Sequence, residues 1–244
     1  VEPRTERITP TYRAAMYASW PLVVWWGRLE VTGLEHIPLT GPVLLAGDHD
    51  SYWDTVTTGI AAMPRRQIHA LAKSTLWNNP VLARILDGMG QIPIERGKGD
   101  VGALDKAVEA LEAGQMIGIY PEGTRSLGRR LRARSGLGRL AERSPEGTTI
   151  VLAACTGTTD IPKFPRHRPH VKVAFFPPAG GGLQPGERPQ DFSARILAEL
   201  RERAPIEIAG RKRARRLLAQ GWTPELAAQG WTAPDAEAQS TSKA

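Results

Sequence analysis

The chain has 244 residues, 41% of them hydrophobic, enough to bury one sizeable core, so a single α/β domain is the default. A formal net charge of +7 and a pI near 9.9 favour an anionic partner, whether nucleic acid, an acidic membrane surface or a phosphorylated substrate. The one cysteine, Cys155, excludes an intrachain disulfide framework and fits a reducing compartment; it lies in an apolar run and reads as buried filler.

From Ala14 to Trp26 the sequence is uncharged and rich in aromatics, with Arg13 and Arg28 outside it. It is too short for a span, which takes about 20 apolar residues. Two readings stay open: an interfacial helix with Trp and Tyr at headgroup level, or a core helix kinked at Pro21. Next, Val43-Leu44-Leu45-Ala46 follows Gly41-Pro42 and reads as a buried strand, delivering Asp48-His49-Asp50-Ser51-Tyr52-Trp53-Asp54 to its end. Ser51 with Asp54 three residues on has the form of a capping box, opening a helix through Thr55 to Ala62. His49 and Asp54 can meet only if the histidine stands before that helix and the aspartate lies in its first turn. A carboxylate would then hold one imidazole nitrogen while the other faced a hydroxyl. Taken alone, the pair is served as well by a plainer reading, with Asp54 a helix cap and His49 a polar residue at a strand end.

Gln67 to Ala72 alternates and reads as a second strand, ending at Lys73. Leu76 to Leu86 has helical spacing interrupted by Pro80, and Gln91 to Gly97 is a short strand ending in Arg96 at a glycine turn. Val101, Leu104, Val108 and Leu111 mark a helix face closed by Gly114. Met116 to Tyr120 is a further strand, and it delivers Pro121-Glu122-Gly123-Thr124-Arg125-Ser126 to the same kind of strand end. Thr149 to Ala154 and Val171 to Phe176 are strands, and Phe192, Ile196 and Leu200 mark a helix. Two stretches are basic: Arg125 to Arg143 holds seven arginines against one acid, and Arg195 to Arg216 carries a net +5. Ala-Gln-Gly-Trp-Thr occurs at Ala219 and again at Ala228, too brief for a solenoid, and 233–244 has a disordered composition.

Strands alternating with helices predict a single layered α/β domain with a mixed, largely parallel sheet, its polar motifs at strand ends. The expected divisions are 1–30, an N-terminal membrane-interfacial helical segment; 31–210, the main domain; and 211–244, a basic helix with a disordered tail. There is no Gly-rich phosphate loop and no G-x-S-x-G. His69, His167 and His170 are scattered and read as surface or loop histidines, so no metal site is expected. A histidine base near Arg96 and Arg125 suits deprotonation of a hydroxyl on a molecule whose phosphate the guanidinium groups hold. No serine or cysteine nucleophile accompanies the dyad, which makes the substrate's own hydroxyl the nucleophile.

Three blocks in order, Asp48 to Asp54, Gly90-Gln91-Ile92-Pro93-Ile94-Glu95-Arg96 and Tyr120 to Ser126, resemble the conserved blocks of the glycerolipid acyltransferases. The resemblance runs from about Gly33 to Phe176. It implies His49 as general base with Asp54 orienting it, Arg96 and Arg125 on the acceptor phosphate, and Glu122, Gly123 and Thr124 against the acceptor. Lys73 and backbone N–H groups near Gly123 are its candidate oxyanion donors. Three positions depart from the family pattern: Leu152 stands where a proline aligns, Asp48 where asparagine is common, and Tyr120 where phenylalanine is. The activity implied is transfer of a fatty acyl group from acyl-CoA or acyl-carrier protein to a lysophospholipid, foremost 1-acylglycerol-3-phosphate. Those are co-substrates, and no cofactor or metal is implied. The implied setting is an anionic membrane surface, peripheral or monotopic, on the cytoplasmic face. The competing expectations are another lipid acceptor, such as a glycolipid or an amino-acid lipid, and a nucleic-acid-binding module built on Arg211 to Arg216, which is the less favoured partner.

Overall fold

The computed structural model describes residues 7–95, 101–163 and 168–230. Arg96, His167, Trp231 of the second Ala-Gln-Gly-Trp-Thr copy and the 233–244 tail lie outside the described residues. Among the described residues the strands are β1 (Glu30–Thr32), β2 (Val43–Gly47), β3 (His69–Lys73), β4 (Ile92–Ile94), β5 (Met116–Ile119), β6 (Thr149–Thr156) and β7 (Lys172–Phe176). The helices are α1 (Pro10–Trp20), α2 (Tyr52–Ala62), α3 (Pro80–Gly88), α4 (Val101–Glu112), α5 (Gly136–Arg143), α6 (Pro189–Arg203), α7 (Arg211–Ala219) and α8 (Pro224–Ala228). The strands form one sheet in the order β1-β7-β6-β2-β5-β3-β4, every neighbouring pair parallel except β6 with β7. This is the mixed, largely parallel α/β sheet that the alternation of elements predicts.

The apolar runs of the central strands follow from burial on both faces. One set of side chains, including Leu44, Ala46, Ile117, Ile119 and Leu152, packs under Leu104, Leu111, Leu137, Leu140, Phe192, Ile196 and Leu200 of α4, α5 and α6. The alternate set, with Val43, Leu45, Met116, Val151 and Cys155, faces Ala61 and Ala62 of α2. Cys155 is free and buried, as its apolar run implies. Outside α2 lies α1, whose Tyr12 and Met16 pack with Val23 and Ile60. At Gly59 a Cβ would meet the Tyr12 hydroxyl at 2.8 Å and the Met16 sulfur at 3.0 Å.

Proline at position 21 removes a backbone donor, and the chain continues as a wider π-helical turn, Pro21–Trp26, with Gly27 N–H reaching Leu22 O at 3.0 Å. The N-terminal segment is therefore two-sided: Tyr12, Met16 and Val23 are buried while Tyr17, Trp20 and Trp25 are exposed. Pro80 starts a helix instead of interrupting one. Asn79 caps it by accepting from Val81 N–H at 3.0 Å and Leu82 N–H at 3.1 Å, and the proline occupies the first turn, where no N–H is needed.

His69 corrects a sequence expectation, since it is buried in β3 with Nδ1 2.8 Å from Gly90 O. A strand inside the sheet gives a polar ring no route to water, and the Gly90 carbonyl takes that role. Gln67 precedes the strand and bonds Thr9 N–H at 2.8 Å and Met89 O at 2.9 Å, tying loops together.

One glycine sets how closely α6 lies against α5 on the sheet. A Cβ at Gly138 of α5 would stand 1.9 Å from Pro189 O, and Gly138 N–H donates to Ser193 Oγ at 3.0 Å. Gly138→Ala improves helix propensity yet forces α5 and α6 apart, so it should destabilise the fold by about 1–3 kcal/mol. Urea unfolding midpoints of variant and parent measure this.

Candidate active site

Parallel neighbours bring the ends of β2, β5, β3 and β4 to one edge of the sheet, and β6 pairs in parallel with β2 on its other side. The turns after β2, β5 and β6 therefore lie side by side. His49 follows β2, and Ser51 is the N-cap of α2, accepting from Trp53 N–H at 3.2 Å. Asp54 at the third helical position completes the capping box. Its Oδ2 accepts from Ser51 N–H at 2.7 Å, Asp50 N–H at 2.7 Å and His49 Nδ1 at 3.1 Å. Its Oδ1 accepts from the Thr158 hydroxyl, on the turn after β6. The two readings of Asp54, helix cap and histidine partner, are met by one carboxylate. With Nδ1 held, Nε2 is the ring nitrogen left for a ligand.

The imidazole is further fixed by stacking on Tyr120, with ring centroids 4.4 Å apart and planes 22° from parallel. Its backbone is pinned at both ends: His49 N–H donates to Glu122 Oε2 at 3.0 Å, and His49 O accepts from Ser126 N–H at 2.8 Å. Glu122 is 2% exposed, and both its oxygens are taken by Arg201 of α6 and by this amide. Its position is behind the histidine. Gly123 adopts φ +67°, and its N–H closes the turn onto Tyr120 O at 2.9 Å. Thr124 is exposed beside it. The Arg125 guanidinium carbon lies 3.6 Å over the centroid of Tyr52, an exposed ring in the first turn of α2. That stack holds the guanidinium by its face and leaves its N–H edge for an anion. Lys73 is exposed at the end of β3, two strands from β2, or about 10 Å in strand spacing.

Sequence reasoning missed Arg201 and Glu207, and it gave Thr158 and Ser126 no role. Arg201 stands four residues after Leu197 and continues the buried stripe of α6, a cation in register with a core face. That placement, with Asp48 and Asp50 on either side of His49, was the available signal. Ser126 donates to Asp50 Oδ1, and Glu207 carries Gly157 N–H and Thr159 Oγ1 at 2.8 Å each.

Acids outnumber bases here, and burial raises the proton affinity of three of them, Asp48, Glu122 and Glu207. Asp48 is 1% exposed, with Oδ1 accepting from Cys155 N–H at 2.8 Å and Oδ2 without a hydrogen-bond partner. Desolvation pushes its carboxyl well above the usual range, against the opposing pull of Arg201. Desolvation likewise raises Glu122 and Glu207, and it raises the Cys155 thiol, which removes that sulfur from consideration as a nucleophile.

A groove of about 1000 Å³ runs along α6 past Leu131, Ala194, Leu197, Ala198 and Ile206 and reaches Glu122 and Arg201. Among the described residues no cluster of His, Cys, Asp and Glu could hold a metal ion.

The fold is thus a layered α/β sheet with a histidine-carboxylate pair at one strand end and an arginine-bearing glycine turn at the next. The Acyltransferase family model matches residues 28–162, more than half of the chain, and the chain belongs to that family. It is similar to the 1-acyl-sn-glycerol-3-phosphate acyltransferase of Bacillus subtilis, 28% identical over 100 residues, 41% of this chain and 50% of that protein. The protein of the same description from Borreliella burgdorferi is 31% identical over 138 residues, 55% of this chain and 50% of that one. The chain thus spans about half the length of these curated relatives. The crystal structure of the 1-acyl-sn-glycerophosphate (LPA) acyltransferase PlsC from Thermotoga maritima shares the fold. Its TM-score is 0.54 at 19% identity, covering 78% of this chain and 81% of that one. Arg201 and Glu207 lie beyond the segment that the family model matches.

Asp48 offers a test of the site's electrostatics. A carboxyl whose folded pKa is raised binds its proton more tightly in the folded state. Its stabilising contribution is thus present below the unfolded value and lost as pH rises through the folded one. Asp48→Asn keeps an acceptor for Cys155 N–H and cannot ionise. The gap in Tm between this variant and the parent should widen in the variant's favour as pH rises from about 4 toward 8. A gap independent of pH, read by thermal denaturation, would assign the titration elsewhere.

Proposed function

We propose that this chain transfers a fatty acyl group from an acyl-CoA or acyl-carrier-protein thioester to the free hydroxyl of a lysophospholipid, foremost 1-acylglycerol-3-phosphate. The observation that carries the reading is the buried His49–Asp54 pair, set at a strand end with no protein nucleophile beside it. The hydroxyls around the pair are committed: Ser51 caps α2, Ser126 donates to Asp50, and Thr158 donates to Asp54. The nucleophile then belongs to the acceptor. His49 Nε2 takes the proton of the acceptor hydroxyl as its oxygen attacks the thioester carbonyl, and Asp54 stabilises the imidazolium. Collapse of the tetrahedral intermediate breaks the carbon–sulfur bond, and the departing thiolate recovers the proton from His49.

Arg125, stacked on Tyr52 at the start of α2, is placed to take the acceptor phosphate. Arg96, which follows β4 in the sequence, serves the same anion, and Lys73 at the end of β3 is the candidate oxyanion donor for the thioester carbonyl. Glu122 acts through the His49 amide, not on the acceptor. Gly123 and Thr124 form the wall of the glycerol position. No described helix is long and apolar enough to cross a membrane. Exposed Tyr17, Trp20 and Trp25, with Val81 and Ile85 on the neighbouring α3, instead give an apolar, aromatic surface for the headgroup region of a bilayer. The basic surface favours an anionic leaflet, as on the cytoplasmic face.

The test is an acceptor panel. One acyl-CoA is incubated with lysophosphatidic acid, other lysophospholipids, a glycolipid and an amino-acid lipid, and products are scored by mass. The expected result is acylation of lysophosphatidic acid in preference to the rest, with turnover lost in His49→Ala. Near-parental turnover in that variant removes His49 from the base role. Arg125→Lys, which loses both the stack and the bidentate edge, should raise KM for the phosphate-bearing acceptor by about tenfold, or about 1.4 kcal/mol, and leave KM for the thioester nearly unchanged. Steady-state kinetics with each substrate varied in turn separates the two; an equal response disproves the phosphate role.

A further inference from the structure

Arg201 binds two carboxylates at once, and each is attached to the turn that carries His49. Its Nη1 and Nη2 donate to Asp50 Oδ2 at 2.9 Å and Oδ1 at 3.0 Å. Nη2 also donates to Glu122 at 2.7 and 2.8 Å, and Nε to the same carboxylate at 3.2 Å. Glu122 receives His49 N–H, and Asp50 N–H is received by Asp54. The guanidinium thus grips the peptide on both sides of the histidine from a helix 151 residues away in sequence from Asp50.

The chain after Arg201 extends the grip. Glu207 N–H donates to Asp50 Oδ2 at 3.0 Å. Its carboxylate holds Gly157 N–H and Thr159, and Thr158 between them donates to Asp54 Oδ1. One strap, residues 201–207, reaches His49 through one set of bonds and Asp54 through another.

Docking of α6 does not account for a buried guanidinium. Phe192, Ile196 and Leu200 are fully buried and already seat the helix, as does the close approach of Gly138 to Pro189. Arg201 has only 14% of its side chain exposed, and burying such a cation gains little stability over an apolar side chain.

We propose that Arg201 is a positioning residue for acyl transfer, holding Asp50 and Glu122 so that the His49 backbone keeps the imidazole between Asp54 and the acceptor hydroxyl. This role rests on the acyl-transfer function proposed for the chain. Lysine keeps the charge but is a point donor that cannot fork across two carboxylates.

Arg201→Lys in the full chain should therefore lower kcat by about 100-fold, the scale of a misplacement near 1 Å. KM for the thioester and for lysophosphatidic acid should stay within about twofold. In the parent, the proton shared between His49 Nδ1 and Asp54 should give a downfield proton NMR signal, and in Arg201→Lys that signal should broaden or move upfield. Turnover within about threefold of the parent with an unchanged signal overturns the proposal, as does a rise in either KM that accounts for the lost rate, since that places Arg201 on substrate.

If Arg201→Lys does not fold, Glu122→Gln weakens the same bridge from its other end while its carboxamide oxygen still accepts from His49 N–H. Parental kcat and signal in that variant overturn the proposal equally. The signal needs no substrate, so a parent that acylates nothing counts against the acyl-transfer reading and leaves the positioning test in force.

Discussion

The carboxylate of Asp54 is the constraint on which the site depends. It is 1% exposed and accepts four hydrogen bonds, three from its own turn and one from the turn after β6. Two of these satisfy backbone donors at the N-terminus of α2, which would otherwise be buried and unpaired. The orientation of the imidazole is thereby a by-product of starting a helix. Any movement of Asp54 away from His49 also disturbs a helix cap, so the carboxylate's side of the pair is held by folding energy and not by a side-chain contact alone. The sheet order does the rest, because β5 and β6 flank β2 and place Glu122 and Thr158 on either side of the β2 turn.

A second layer of control is electrostatic. Asp48, Asp50 and Glu122 lie around one guanidinium with Asp54 and Glu207 interacting with the same acids, and desolvation raises the proton affinity of Asp48, Glu122 and Glu207. The surround thus holds more acidic groups than basic ones. The same surround is expensive to hold together at neutral pH, and the β2 turn tolerates it because Arg201 takes two of the acids and backbone amides take most of the rest.

Much of this was legible in the sequence, for reasons that individual residues make plain. Val43 to Ala46 reads as a buried strand because a parallel strand is covered on both faces, and it is one. Ser51 and Asp54 carry a local capping signal, so the start of α2 is readable to the residue. What was not legible is long-range. Glu122 reads as an acceptor-facing residue of a glycine turn, whereas in the structure its oxygens point to a helix 79 residues later. Nothing in Pro121 to Ser126 reports that helix, since the pairing is decided by how α6 lies across the sheet. His69 misled in the opposite sense: a lone polar residue suggests surface, but the Gly90 carbonyl lets it stay inside.

The placement of Arg201 and Glu207 has a consequence for how the protein comes into being. A chain emerging from the ribosome completes its strands β1 to β7, including the whole segment that the family model matches, before α6 has been made. At that stage Asp50 and Glu122 face each other without their counter-cation, and the turn after β6 has no Glu207 to hold it. The sheet can assemble early, but the site is finished by a helix that leaves the ribosome after every described strand. Until α6 docks, Asp50 and Glu122 lack the guanidinium that bridges them, and Gly157 and Thr159 lack the carboxylate that joins them.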